Sequence, residues 1–218
     1  EFEKAAQLRD KINDLNYLGE SIDFGINDTE ESYTQRRKQL LINKFSHLGE
    51  ELGIVNLYRI ECYDISNIQG KEAYGSLVVA ENGEILRNKY RIFRIESINT
   101  PDDMHMLKEV ISRRFDNKNK AKYDKSPEIV LIDGGIAQLS VLEEFVPKEI
   151  TLLGITKGRK YKRKGGRLLD EFWKIDRETK KVNKIKITNK EILIDLRDEA
   201  HSFSIMNHRK AGIRNGME

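Results

Sequence analysis

The 218 residues carry 34% charged and 38% hydrophobic side chains with a net charge of +3, and no run approaches the roughly 18–20 apolar residues needed to span a bilayer. A single cysteine, Cys62, excludes an internal disulfide and a cysteine-based zinc site. The length suits one substantial core with a smaller appendage, and a charged opening run with no secretory signal makes the cytoplasm the expected location.

In chain order, residues 1–19 predict a helix. Ala5, Leu8, Ile12 and Leu15 recur at helical spacing with charges between them, and Gly19 is the expected stop. One narrow apolar stripe cannot be buried by itself, so this helix calls for a partner helix, in this chain or another. Residues 20–55 read as a helical linker. Asp28 and Glu31 form a capping-box pattern, and Leu41, Phe45, Leu48 and Leu52 make the apolar face of a second helix. Ordinary packing of both helices onto the main domain is the alternative.

The main domain is expected at 56–218. Strands are predicted at 57–63, 72–80 and 85–95, the last two joined by an Asn82-Gly83 turn. Pro101 opens a helix to about Phe115. Residues 129–132 form a short unbroken apolar run, typical of a buried parallel strand. Gly134-Gly135 leads into a helix through Leu142, 150–155 is another buried strand, a basic strand-rich segment follows, and a helix runs from about Glu191 to Lys210. Three antiparallel strands followed by alternating helix and strand make a mixed α/β layout.

Two acids stand at expected strand ends, Asp64 in Tyr-Asp-Ile-Ser-Asn and Asp133 in Leu-Ile-Asp-Gly-Gly, where open α/β sheets place their ligands. Carboxylates held close there repel unless a cation lies between them, and a hard divalent ion such as Mg²⁺ or Mn²⁺ suits oxygen ligands. Such an ion polarises a phosphoryl oxygen and eases deprotonation of water, as phosphodiester hydrolysis requires. The plainer alternative is that both aspartates cap turns. Gly134 and Gly135 are equally consistent with close backbone approach to a phosphate. On the last helix, Leu193, Leu196, Ala200, Phe203 and Asn207 share the expected core arc, whereas Arg197, His201, Ser204 and His208 share a neighbouring one. His201 is therefore either a surface histidine or a metal ligand or proton carrier. Asp102 and Asp103 follow Pro101, where acids suit a helix N-terminus for structural reasons alone. Between 157 and 167, seven of eleven residues are Lys or Arg with no acid among them. That patch fits nucleic acid, or is simply a solvated hairpin.

These segments together resemble the C-terminal half of the UvrC family, the incision subunits of bacterial nucleotide excision repair. The landmarks are Ile60-Glu61-Cys62-Tyr63-Asp64-Ile65-Ser66-Asn67 with Gln69-Gly70, Pro101-Asp102-Asp103 with Arg113-Arg114-Phe115, and Ile132-Asp133-Gly134-Gly135 with Gln138-Leu139. Lys157-Gly158-Arg159-Lys160, Arg197-Asp198-Glu199-Ala200-His201 with Phe203, and His208-Arg209-Lys210 complete the set. Glu1-Phe2-Glu3-Lys4-Ala5-Ala6 with Leu8-Arg9-Asp10 looks like the UVR motif, through which the family pairs with UvrB. The resemblance implies an RNase H-like mixed sheet flanked by helices, incision of damaged duplex DNA on the 5′ side of a lesion, and a site of Asp64, Asp133 and His201 holding Mg²⁺ or Mn²⁺. It adds Asp103 as a further acid of that site. It also implies a piece of a longer protein, without the family's Gly-Ile-Tyr nuclease and helix-hairpin-helix domain. Asn67 and Ser202 depart from the histidine and arginine common in the family. Lys157, Arg159, Lys160, Arg163 and Arg209 are the expected phosphate contacts. Two rivals remain: a non-catalytic RNase H-like module that binds nucleic acid or UvrB, and a nucleotide-binding enzyme using Asp133-Gly134-Gly135 as a phosphate loop, although the Gly-x-x-x-x-Gly-Lys-Ser/Thr pattern is missing.

Overall fold

The computed structural model describes residues 30–68, 72–96, 102–123, 125–157 and 170–215. The expected first helix, Asp28, Pro101 and the basic residues Arg159, Lys160 and Arg163 lie outside them, as does the side chain of Arg209. The chain divides into two units, Glu1–Leu40 and Leu41–Glu218. Helix α1 (Glu30–Leu52) runs across that division. Within the second unit its Phe45, Leu48 and Leu52 are buried, as their spacing requires.

Among the described residues one sheet holds β1 (Arg59–Ile68), β2 (Glu72–Glu81), β3 (Glu84–Ile85), β4 (Arg91–Arg94), β5 (Ile129–Asp133), β6 (Thr151–Lys157), β7 (Asp170–Ile175) and β8 (Val182–Ile185). Their order is β3-β2-β1-β5-β6-β7-β8, with β4 also on β2. β1, β5 and β6 run parallel and the remaining pairings are antiparallel. Asn82 and Gly83 both have positive φ, 50° and 81°, and make the expected tight turn. The strand expected at 85–95 is broken in two. After Leu86 N–H donates to Val79 O, a 3₁₀ turn at Arg87–Lys89 swings Lys89 Nζ to within 3.0 Å of the buried Glu81 carboxylate, and β4 then rejoins β2.

Alternation along the strands sorts side chains onto two faces. Tyr63, Leu77, Val79, Val130 and Ile132 pack in one cluster with side chains of α2 (Asp103–Phe115) and α3 (Ile136–Leu142). Ile60, Cys62, Val78, Ile129, Leu131 and Ile155 pack in the other, with α1 and α4 (Glu191–Asn215). Asp64 and Asp133 share the parity of this second set, so both belong to the face that α4 covers.

Candidate active site

Contrary to expectation, Asp64 does not end its strand, because β1 continues to Ile68 as one arm of a long hairpin with β2. What ends beside it is the parallel ladder with β5, whose last partners are Tyr63 and Ile132. One step further in that register brings Asp64 level with Asp133, the last residue of β5. The two acids therefore stand side by side on one face, where β5 gives out.

Above them lies α4, packed over β1 and β2. Leu193, Leu196 and Ala200 are buried against the sheet as predicted. Arg197 and Ser204, on the arc neighbouring the expected core one, are buried too, at 5% and 2% exposure, because the helix rests across two strands and a wide arc of it is covered. Its seat is fixed by Ser76 on β2, whose hydroxyl lies 3.3 Å from the Asp64 carbonyl and 3.2 Å from that of Ala200. That tie places the next residue, His201, at the edge of the site. Its side chain is 57% exposed, with Nδ1 3.9 Å from Asp64 Oδ2.

Asp64 is only 9% exposed, and its Oδ2 is buried without a hydrogen-bond partner. Burial first, then the charge of Asp133, pushes its carboxyl up to about 6, against the opposing pull of His201 and the Ser204 hydroxyl. Asp103 pushes the same way from the start of α2, so it stands within electrostatic reach. Asp102 serves the helix instead, capping α2 by accepting from the N–H groups of Met104 and His105 at 2.9 and 3.3 Å. Asp133 is also raised, by desolvation, while Arg197, His201 and Lys157 hold it down. Its side chain keeps substantial solvent exposure, so Asp64 is the more strongly perturbed of the two. Cys62, buried on the same face, is no competing ligand, because burial and then both acids push its thiol well up and keep it protonated.

The cationic side is ordered as well. Arg197 pairs with Asp170 at the start of β7 and with Asp198, 2.8 Å away, and Lys157 faces Asp170 across the β6–β7 ladder. In the sequence Arg197 stands out only as a motif residue, and Ser76 and Asp170 do not stand out at all. For Ser204, the interval of three from His201 is the one sequence signal that points to it. The glycine loop is directed inward. Gly134 N–H donates to Ile155 O and Gly135 N–H to Gln138 Oε1, both at 3.0 Å, which leaves neither amide for a phosphate. Gly154 permits this packing, since a Cβ there would meet Gly134 O at 2.4 Å.

One buried and one exposed carboxylate beside an imidazole, with one carboxylate oxygen lacking any partner, are the chemistry a hard cation asks for. As placed, no three His, Cys, Asp or Glu side chains among the described residues form a complete ligand group.

The strand order and the helices on both faces define an RNase H-like fold. Residues 49–205 match the model of the UvrC RNase H endonuclease domain, and the chain belongs to that family. It is 32% identical over 210 residues to the UvrABC system protein C of Fusobacterium nucleatum, covering 96% of this chain and 33% of that protein. The corresponding protein of Clostridium perfringens is 30% identical over 224 residues, covering 94% and 35%. The chain thus spans about a third of the length of these relatives. Among solved structures, the catalytic domain of human endonuclease V covers 84% of this chain and 98% of its own at 15% identity and a TM-score of 0.41, a likeness too slight to add to the assignment.

Proposed function

We propose that this chain is a divalent-metal-dependent DNA endonuclease module of nucleotide excision repair, hydrolysing a phosphodiester on the 5′ side of a lesion while held to UvrB through the helix expected at residues 1–19. The observation that carries the reading is the level pairing of Asp64 and Asp133 on one face, with His201 3.9 Å from a partnerless Asp64 oxygen. Asp64 and Asp133 would hold Mg²⁺ or Mn²⁺, with His201 as a third ligand or proton carrier. When bound, the ion supplies charge on a phosphoryl oxygen and a more acidic water.

The chain's own groups do the rest. Asp64 Oδ2 has no competing donor to displace. His201, with its side chain 57% exposed, would pass a proton to the departing oxygen or take one from the attacking water. Asp103 adds negative charge at the rim. Lys157, beside Asp133, neutralises the phosphate being cut, and Arg159, Lys160, Arg163 and Arg209 serve its neighbours without reading bases.

Asp64→Asn and Asp133→Asn should each lower Mn²⁺-dependent nicking of UvrB-loaded damaged DNA by about a hundredfold or more; unchanged nicking in both would remove the assignment. A non-catalytic module that binds nucleic acid or UvrB is favoured by the incomplete ligand group among the described residues. It predicts no specific Mn²⁺ site near Asp64.

A further inference from the structure

The buried side of α4 carries a hydroxyl that the hydrolytic reading leaves idle. Ser204 is 2% exposed, and its Oγ makes no well-formed hydrogen bond, although it lies close enough to Asp64 to draw that carboxyl down. Beside it stands Asp64, whose Oδ2 is likewise buried and partnerless. Two unpaired polar atoms side by side in a protein interior are costly unless each serves the other or a ligand.

A helical serine usually falls back on the carbonyl four residues earlier, which here belongs to Ala200. That oxygen takes the helix's own N–H of Ser204 and, at 3.2 Å, the Ser76 hydroxyl as well. The Ser76 hydroxyl has one proton for the carbonyls of both Asp64 and Ala200, and the Asp64 carboxylate is the buried, under-satisfied acceptor on the same side of the helix as Ser204.

We propose that Ser204 is a positioning residue for Asp64: its hydroxyl donates to the carboxylate and fixes which lone pair faces the space bordered by Asp133 and His201. Carboxylates that bind metals are themselves held by hydrogen bonds of this kind. The proposal rests on the cation-binding reading of Asp64, and Ser76, which ties the backbones of Asp64 and Ala200 together, keeps donor and acceptor in register.

The test is Mn²⁺ binding to the whole chain, followed by the electron paramagnetic resonance signal of the free ion, together with thermal unfolding without metal. Ser204→Ala should bind Mn²⁺ about tenfold more weakly, and Ser204→Thr should recover to within about threefold of the parent. The thermal unfolding shows that the alanine variant is folded at the temperature of the titration, so that weaker Mn²⁺ binding is not a loss of the fold. If alanine leaves Mn²⁺ affinity unchanged while Asp64→Asn abolishes the site, Ser204 is idle and the cation reading stands. If alanine weakens binding and threonine does not restore it, packing and not the hydroxyl is responsible, and the proposal fails. If Asp64→Asn itself binds Mn²⁺ as the parent does, the cation reading falls and takes the role of Ser204 with it.

Discussion

Asp64 sits in surroundings that disfavour its charge. Burial and the neighbouring Asp133 push its carboxyl up to about 6 from an ordinary value of 3.8. A raised acid favours the folded state only while protonated, so its stabilising share is full below about pH 4 and is lost as pH rises through 6. The loss is on the order of 3 kcal/mol in metal-free protein. Asp64→Asn cannot titrate. Its melting temperature in EDTA should therefore rise relative to the parent between pH 4 and pH 7, and two parallel curves would contradict this. Added Mn²⁺ should raise the melting temperature of the parent at pH 7 and leave the variant unmoved. The two aspartates stand out by residue type and expected strand position and the histidine by its place on the last helix, but each has a plainer reading, and it is the family resemblance that groups them. Ser204 does not stand out, because a serine three residues after a histidine is commonplace until the helix is seen lying across two strands.

At the scale of elements, the apolar runs at 129–132 and 150–155 and the turn at Asn82-Gly83 foretell the frame that sets the acids side by side. Hydrophobic period and turn chemistry are local, and they need no knowledge of neighbours. The break after Leu86 escapes such reasoning, because it answers to Glu81, a buried acid on another strand that gathers Arg59 at 2.7 Å and Lys89 at 3.0 Å. The same holds for the seat of α4, which depends on a serine of β2 and an aspartate of β7. Arg197 ties α4 to β7 through Asp170. Arg197→Ala would leave Asp170 and the edge of the site without their partner charge, and should cost about 3 kcal/mol in urea unfolding. A loss below about 1 kcal/mol, the worth of an ordinary exposed pair, would show that α4 is held by its apolar face alone.

Among the described residues, the two faces of the sheet carry different charged groups. Opposite the site, Glu61 is fully buried between Arg59 and Arg114 and accepts from the Tyr63 hydroxyl at 2.7 Å, a closed group with no ligand to seek. At the site, Lys157 begins the basic run, and these cations should act on DNA through counterion release. Replacing Lys157, Arg159, Lys160 and Arg163 by alanine should flatten the dependence of log affinity on log salt by about 3.5 for duplex DNA, equally for all sequences. An unchanged slope would show that this run is a solvated surface. Whether acids from two strands and a helix histidine meet at one hydrolytic cation is decided by a crystal of the chain grown with Mn²⁺ and measured by anomalous scattering. The expected result is a peak about 2.0–2.3 Å from carboxylate oxygens of both Asp64 and Asp133, with the His201 ring turned inward to the ion or its water. An ion bound elsewhere, with these two carboxylates free of it, would overturn the hydrolytic reading.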